Sequence, residues 1–259
     1  MIVSIEYNIP ELENMKKYPK ELYSIGNLSL LQRRKISIVG TRRPSVYTKQ
    51  YTQLLVQELV KRGITLVSGA AMGVDAIVHM SAGWENSIAV VANGLDIRYP
   101  SINRHLIESI EKEGLVLSQF SQGTKATPWS FVVRNELVVA LGEVLIVTQA
   151  DENSGSMRSV EFALKMGKEI YVLPQRLGES KGTNRLLADG LAKPINDILQ
   201  FANKFGIEPK NSYIEKDDFF YFCQTVPTLD EAVAKFSDRV YEAELEGLIH
   251  IENGLIHLV

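Results

Sequence analysis

Between residues 36 and 173, short β-branched runs alternate with amphipathic stretches, and this rhythm constrains the chain more than any other feature. Strands that alternate with helical crossovers pair in parallel, and a parallel sheet must be covered on both faces. The runs at 36–39, 64–67, 88–91, 115–118, 144–148 and 170–173 are the expected strands. Gly63, Gly114, Gly142 and Gly167 each close a helical pattern just before a strand, where a left-handed residue is expected to end the helix. In the first crossover, Tyr47, Tyr51, Leu54, Leu55, Glu58 and Leu59 are spaced to share one helix face. That face is expected to be buried, with Glu58 out of keeping. The fold class is α/β with a mainly parallel sheet.

Around this body (36–203) the chain reads as three further parts. Residues 1–35 are too short for a domain and are expected to add an edge segment packed on the body. Residues 204–217 are polar, contain a Pro, and read as a linker. Residues 218–259 hold two short helical patterns, 228–236 and 238–248, and then Asn253-Gly254, a strong signal for a two-residue hairpin turn. Helix, helix and hairpin make a small winged-helix-like module.

The 259 residues, 45% of them hydrophobic and 23% charged, can bury a substantial core. No apolar run approaches the roughly 18 residues a membrane helix needs, and the N-terminus lacks the pattern of a signal peptide. A cytoplasmic protein with no membrane partner is expected. The lone Cys223 cannot form an internal disulfide and reads as a packed thiol. Charge is unevenly divided. Residues 208–259 carry 4 Lys/Arg and 11 Asp/Glu, net −7, which leaves residues 1–207 at +4. Because phosphate binding depends on a local patch, a mildly basic body with an acidic tail can still bind nucleic acid.

Four stretches carry the chemistry. In GTRRPS (40–45), Gly40 permits a turn at a strand end, Ser45 can cap the next helix, and Thr41, Arg42 and Arg43 sit at that helix's N-terminus. A guanidinium is a planar fork that matches phosphate oxygens and keeps its charge. The competing reading, that either arginine alone pairs with a nearby carboxylate, weakens when both are considered together. SGAAMGVD (68–75) offers Ser68, Gly69 and Gly73 in a turn, with Asp75 in the first turn of a helix. It lacks G-x-G-x-x-G, and no acidic residue ends the strand at 88–91, so no dinucleotide cofactor is expected. A backbone nest for one phosphate and a purely structural turn remain equal alternatives. FVVRNELV (131–138) has helical period, with Phe131, Arg134, Leu137 and Val138 on one face. Arg134 and Asn135 could contact phosphate or base edges, and Phe131, near Trp129, could stack on a base. A core Phe131 with Arg134 as a structural clamp is the plainer account. Lys125, in the preceding loop, is a further phosphate contact, and ENSGSMRS (152–159) adds Ser154 and Gly155 in a small-residue turn.

Catalytic signatures are scarce. His79, His105, His250 and His257 show no metal-ligand spacing, and there is neither a G-x-S-x-G elbow nor a P-loop lysine. Asp75 and Asp96 could pair across loop ends, although a turn or capping role explains each. No catalytic residue, metal site or cofactor is expected.

GTRRPS, SGAAMGVDAIVH, ANGLDIRYPSIN, FVVRNELVVALGEVLIVTQADENSGSMRS and GTNRLLADGLA together, in order and spacing, resemble the DprA/Smf family. The resemblance runs from about residue 18 to residue 192. It implies an extended Rossmann-like fold, a homodimer through that fold, binding of single-stranded DNA without cleavage, and loading of the RecA recombinase during natural transformation. It places Gly40, Thr41, Arg42 and Arg43 in a phosphate-binding turn, and Ser68, Gly69 and Gly73 in a second loop. Phe131, Arg134 and Asn135 fall on the helix lining the DNA pocket, and Ser154 with Gly155 in the late turn. Leu173–Gln175 and Gly190–Ala192 depart from the family's pattern, and the helical domain that precedes the fold in many relatives has no counterpart, so its role is expected to be lost or moved. The segment 238–248 carries Asp238, Glu242, Glu244 and Glu246 against Arg239 alone, so the module is not expected to bind DNA strongly.

Two rivals share these observations. A nucleotide phosphoribohydrolase on the same fold needs P-G-G-x-G-T-x-x-E, and the turn ENSGSMRSVE lacks its paired glycines and glutamate spacing. An interaction adaptor would place the main work in the acidic tail.

Overall fold

The structure, a computed structural model, describes residues 2–206, 218–245 and 247–258. They form two compact units, Met1–Ile207 and Glu208–Val259. The first is built on β1 (Val3–Ser4), β2 (Tyr23–Gly26), β3 (Lys35–Val39), α1 (Val46–Lys61), β4 (Thr65–Ser68), α2 (Val74–Ala82), β5 (Ser87–Val91), α3 (Arg104–Glu113) and β6 (Leu115–Ser118). It continues through α4 (Pro128–Leu141), β7 (Leu145–Val147), α5 (Gly155–Lys165), β8 (Ile170–Val172), α6 (Lys181–Ala188), β9 (Lys193–Pro194) and α7 (Ile198–Ala202). All six expected strands are present within a residue or so of the ends read from sequence. They join one nine-stranded sheet of order β1-β2-β6-β5-β4-β3-β7-β8-β9, parallel from β6 to β9. The N-terminal segment adds two antiparallel strands at one edge, through β2 against β6.

Alternation along each strand builds both cores. Ile36 and Ile38 of β3, Leu66 of β4, Ile146 of β7 and Tyr171 of β8 pack with α1, α2 and α7. Their neighbours Val39, Val67, Leu145, Val147 and Val172 turn to the other face and pack with α4 and α5. Being buried on both faces, these strands read as continuous apolar runs.

Three expectations need correction. The buried face of α1 is Thr48, Thr52, Leu55, Val56 and Leu59, so only Leu55 and Leu59 of the expected stripe are inside. Tyr47, Tyr51 and Leu54 form an exposed ridge with the two rings 4.6 Å apart. Thr48 tolerates burial because its hydroxyl bonds Ser45 Oγ and Gln175 Nε2. A pattern that scores threonine as polar misplaces the face.

Of the four terminator glycines, Gly63 and Gly167 are left-handed, at φ +77° and +65°. Gly114 and Gly142 have φ −108° and −83°. Closeness requires those two: a Cβ on Gly114 would lie 2.2 Å from the Trp84 carbonyl oxygen, and one on Gly142 2.3 Å from Ser37 Oγ.

Residues 204–206, expected in the linker, belong to the first unit, where Phe205 packs against Tyr171 and Phe201. The rest of the expected linker, 207–217, lies outside the described residues.

Among its described residues the second unit has three helices, α8 (Asp218–Cys223), α9 (Leu229–Phe236) and α10 (Arg239–Leu245), one more than expected. They precede a hairpin of β10 (Ile249–Glu252) and β11 (Leu255–Leu258). Asn253 and Gly254 take φ +52° and +75°, the left-handed pair a two-residue turn of this kind needs. Cys223 is buried. No helix among the described residues is long and apolar enough to cross a membrane.

His79 on α2 is fully buried, and neither ring nitrogen has a hydrogen-bond partner among the described residues. Desolvation first, and the nearby Arg134 charge second, push its pKa down from 6.5 to about 3. An unfolded chain takes up this proton near pH 6.5, whereas the folded one refuses it until about pH 3. The ring's contribution to stability is therefore complete above that window and is lost as pH falls through it. Urea denaturation at about pH 7 and about pH 4.5 should show that His79→Met loses about 2.5 kcal/mol less stability on acidification than the unsubstituted protein.

Candidate nucleic-acid interface

The sheet order creates the site. From β3 the chain steps outward through β4, β5 and β6, then returns to the other side of β3 for β7, β8 and β9. Connections leaving β3 and β7 therefore diverge, and a crevice opens beyond the carboxyl ends of these strands. The loop after β3 is GTRRPS and the loop after β7 leads to Ser154, so two of the four stretches meet there.

Backbone contacts hold the first loop. The Thr41 N–H donates to the Gln149 carbonyl at 2.9 Å, and the Ser45 N–H to Gln149 Oε1 at 2.9 Å. Ser45 Oγ accepts from the Thr48 N–H and caps α1, as its position predicts. The second loop crosses directly over the first. Gly73, at φ +81°, would place a Cβ 2.4 Å from the Thr41 carbonyl oxygen, and the Val74 N–H donates to that oxygen at 3.1 Å. Gly40 is required for closeness, since its Cβ would stand 2.6 Å from Val74 Cγ2. Ala70 is held left-handed at φ +54°, where a non-glycine residue is strained.

The cleft encloses about 450 Å³. Its floor is a buried charge pair. Arg134 Nη1 donates to the Val90 carbonyl at 3.1 Å and stands 3.9 Å from Asp75 Oδ2, which accepts from the Ala71 N–H at 3.2 Å. Desolvation raises the Asp75 pKa and outweighs the lowering by Arg134 and by the Ala71 N–H. Burial lowers the Arg134 pKa; Asp75 opposes this shift and Arg42 adds to it. Gly69 makes the pair possible, because a Cβ there would fall 1.4 Å from Arg134 Nη1.

Above the floor, Phe131 forms one wall, with the guanidinium carbons of Arg42 and Arg134 at 5.6 Å and 5.9 Å from its ring centroid. Asn135 donates to the Gly155 carbonyl at 3.3 Å. Ser154, Gly155 and Ser156 bring the N-terminus of α5 to the opposite wall, where Ser154 makes no side-chain cap and its buried Oγ is unpartnered. A helix N-terminus with open donors favours an anion.

Gly40, Thr41, Arg42, Gly69, Phe131, Arg134, Asn135, Ser154 and Gly155 thus converge on one cleft. Arg43 and Gly73 border the adjoining groove, and Lys125 is exposed on the loop before α4, lining neither hollow. Ser68 is a correction. It is fully buried and donates to the Ile38 carbonyl at 2.7 Å, so it ties β4 to β3 beneath the cleft and cannot touch a ligand. Asp75 and Asp96 do not pair, for Asp96 instead accepts from the Gly123 N–H at 2.9 Å. Tyr99 is a residue that local patterns missed. Half-exposed, it places its ring 6.2 Å from Phe131, although 32 positions separate them in the chain.

A larger hollow of about 760 Å³ lies at the opposite ends of β3, β7 and β8, but its cations are committed. Lys35 pairs with Glu11 at 2.6 Å and donates to the Leu31 carbonyl. Lys168, pushed down to about 8 chiefly by burial, donates to the Ala140 and Gly142 carbonyls. Arg42 and Arg43, in contrast, make no ion pair among the described residues.

Comparison with known proteins decides the family. The family model of DNA recombination-mediator protein A matches residues 1–206. This chain belongs to that family. It is 36% identical to DNA processing protein DprA of Bacillus subtilis over 169 residues, 64% of this chain and 57% of that one. It is 31% identical to protein Smf of Escherichia coli over 224 residues, 82% of this chain and 60% of that one. The chain therefore spans less than two thirds of either relative's length. Among solved structures, DNA processing protein A from Helicobacter pylori, described for its single-stranded DNA binding mode, superposes with a TM-score of 0.77 at 42% identity, covering 79% of this chain and 95% of that one. DprA from Streptococcus pneumoniae gives 0.73 at 30% identity, covering 80% and 75%.

Arg134 of α4 is an interior charge. Removing one member of a buried pair leaves the other uncompensated. Asp75→Asn should lower unfolding free energy by about 3 kcal/mol in urea titrations, whereas Arg42→Ala, at an exposed and unpaired position, should change it by less than about 0.5 kcal/mol.

Proposed function

We propose that the cleft binds single-stranded DNA without cleaving it. The observation that carries this reading is the placement of the Phe131 ring 5.6 Å and 5.9 Å from two guanidinium groups, in a cleft that also holds a helix N-terminus, at the sheet's switch point. An aromatic face stacks on any base, a cationic rim attracts phosphates, and together they bind a strand with little regard to sequence. Arg42 and Arg43 hold phosphates, the backbone of the Gly40 and Gly69 loops adds contacts, and Phe131 stacks a base. Arg134 acts from beneath as fixed positive charge, Asn135 orients the wall through Gly155, and Lys125 meets the strand farther out. Family membership supports the same reading, as does the single-stranded DNA bound by the Helicobacter pylori relative at 42% identity.

By the same resemblance, we assign the chain to cytoplasmic processing of DNA taken up in natural transformation. There it acts as a homodimer through the Rossmann-like unit, shielding the incoming strand and helping to load the RecA recombinase. The C-terminal unit, which we read as winged-helix-like, has a net charge of −7 over 208–259 and suits a protein contact better than a phosphate backbone.

Two measurements test this. In a salt titration with a labelled oligothymidylate, log affinity should fall by about 0.7 per phosphate neutralised for each decade of salt, and Arg42→Ala should reduce that slope by about 0.7. Salt-independent binding, or an Arg42→Ala protein indistinguishable from the original, would rule out the site. Deleting residues 208–259 should leave single-strand affinity within about twofold; a large loss would move DNA binding to the tail.

A further inference from the structure

We propose that single-stranded DNA leaving the cleft runs along the groove between α1 and α2, with Arg43 and Lys49 holding its phosphates. This rests on the reading of the cleft as a single-strand site and extends it to a second, continuous one.

The groove encloses about 860 Å³, and Arg42, Arg43 and Lys49 line it together with Gln53 and Gln57. No carboxylate among the described residues lines it. That is unusual for this protein, whose other surface arginines are mostly matched: Arg34 with Glu143, Arg98 with Glu111, Arg104 with Glu108, Arg158 with Glu161, and Arg185 with Glu152. Among the described residues Arg42, Arg43 and Lys49 have no such partner. Three cations left uncompensated in one concavity raise its potential for a polyanion.

Continuity with the cleft comes from two features. Arg42 lines both hollows. Gly73 forms the saddle between the second loop and α2, where its missing side chain lets α2 start directly on the backbone of Thr41 and Arg42, the loop that borders both hollows. Beyond the saddle, Lys49, Gln53 and Gln57 recur every fourth residue on α1, so their donors stand about 6 Å apart along one helix face. An ammonium and two side-chain amides can all donate to phosphate oxygens, and none reads a base. Across the groove, Ile77 and Met80 of α2 supply an apolar floor, and Met80 is 59% exposed. An exposed, polarizable thioether there suits the face of an unpaired base.

The test compares two oligothymidylates by fluorescence anisotropy, one just long enough to fill the cleft and one several times longer, on the full-length protein and on Lys49→Ala and Lys49→Glu. Lys49 is exposed, so neither change disturbs the core. The short strand should bind all three proteins equally. For the long strand, Lys49→Ala should lower the salt slope by about 0.7, so that the unsubstituted protein loses about fivefold more affinity than the variant per tenfold rise in salt. Lys49→Glu should weaken long-strand binding further. Equal losses on both strands would place Lys49 in the cleft itself and overturn the proposal, as would no loss on either. Failure of the unsubstituted protein to bind the short strand appears before any variant is made, and it would overturn the cleft reading and this inference with it.

Discussion

The buried contact between Arg134 and Asp75 is what the rest of the cleft depends on. It joins three segments that share no backbone hydrogen-bond ladder: the loop after β4, the first turn of α2, and the middle of α4. An interior guanidinium is tolerated only if a carboxylate and a carbonyl oxygen compensate it, and Asp75 and Val90 do so. Steric room is equally strict, since the guanidinium occupies the space a side chain on residue 69 would need. Gly69 is therefore a packing requirement more than a conformational one. With Arg134 so held, Phe131 one turn earlier on α4 is presented at the mouth.

A compensated charge pair beneath an aromatic wall, with two unpaired guanidiniums at the rim, is the arrangement on which the proposed strand binding rests. The charges are arranged in depth. Arg134 cannot move to meet a ligand, whereas Arg42 and Arg43 are exposed and have no competing anion among the described residues. A fixed interior charge supplies potential without ordering any side chain, and the mobile pair supplies contacts. The same division explains why charge balance over the whole chain misleads: the net −3 is dominated by the last fifty or so residues, while the rim is locally cationic.

Much of this was legible in the sequence. The six central strands were readable because strands buried on both faces are continuously apolar, and Ser45 declared a cap by its place before a helical pattern. Nine of the thirteen candidate ligand contacts meet in one cleft, since each belongs to a loop or helix following a strand of the same sheet. The failures have physical causes. Thr48 and Thr52 sit inside α1 where polarity alone placed Tyr47 and Tyr51. Ser68 looked like a loop donor, but its hydroxyl is spent on the Ile38 carbonyl. Gly114 and Gly142 stand where terminators belong, yet they are glycine because another segment passes too close for a Cβ.

Fold class, family and the residue types at the rim can be read along the chain, because periodicity, caps and ordered motifs are local properties. That β3 and β7 lie side by side, so that their loops part into a crevice, comes from long-range strand pairing. Packing likewise turns Arg134 inward to Asp75 while Arg42 and Arg43 stay exposed at the rim. Those outcomes depend on strand order and on which side chain first fills a shared volume, and neither is written in the spacing of residues along one strand or helix.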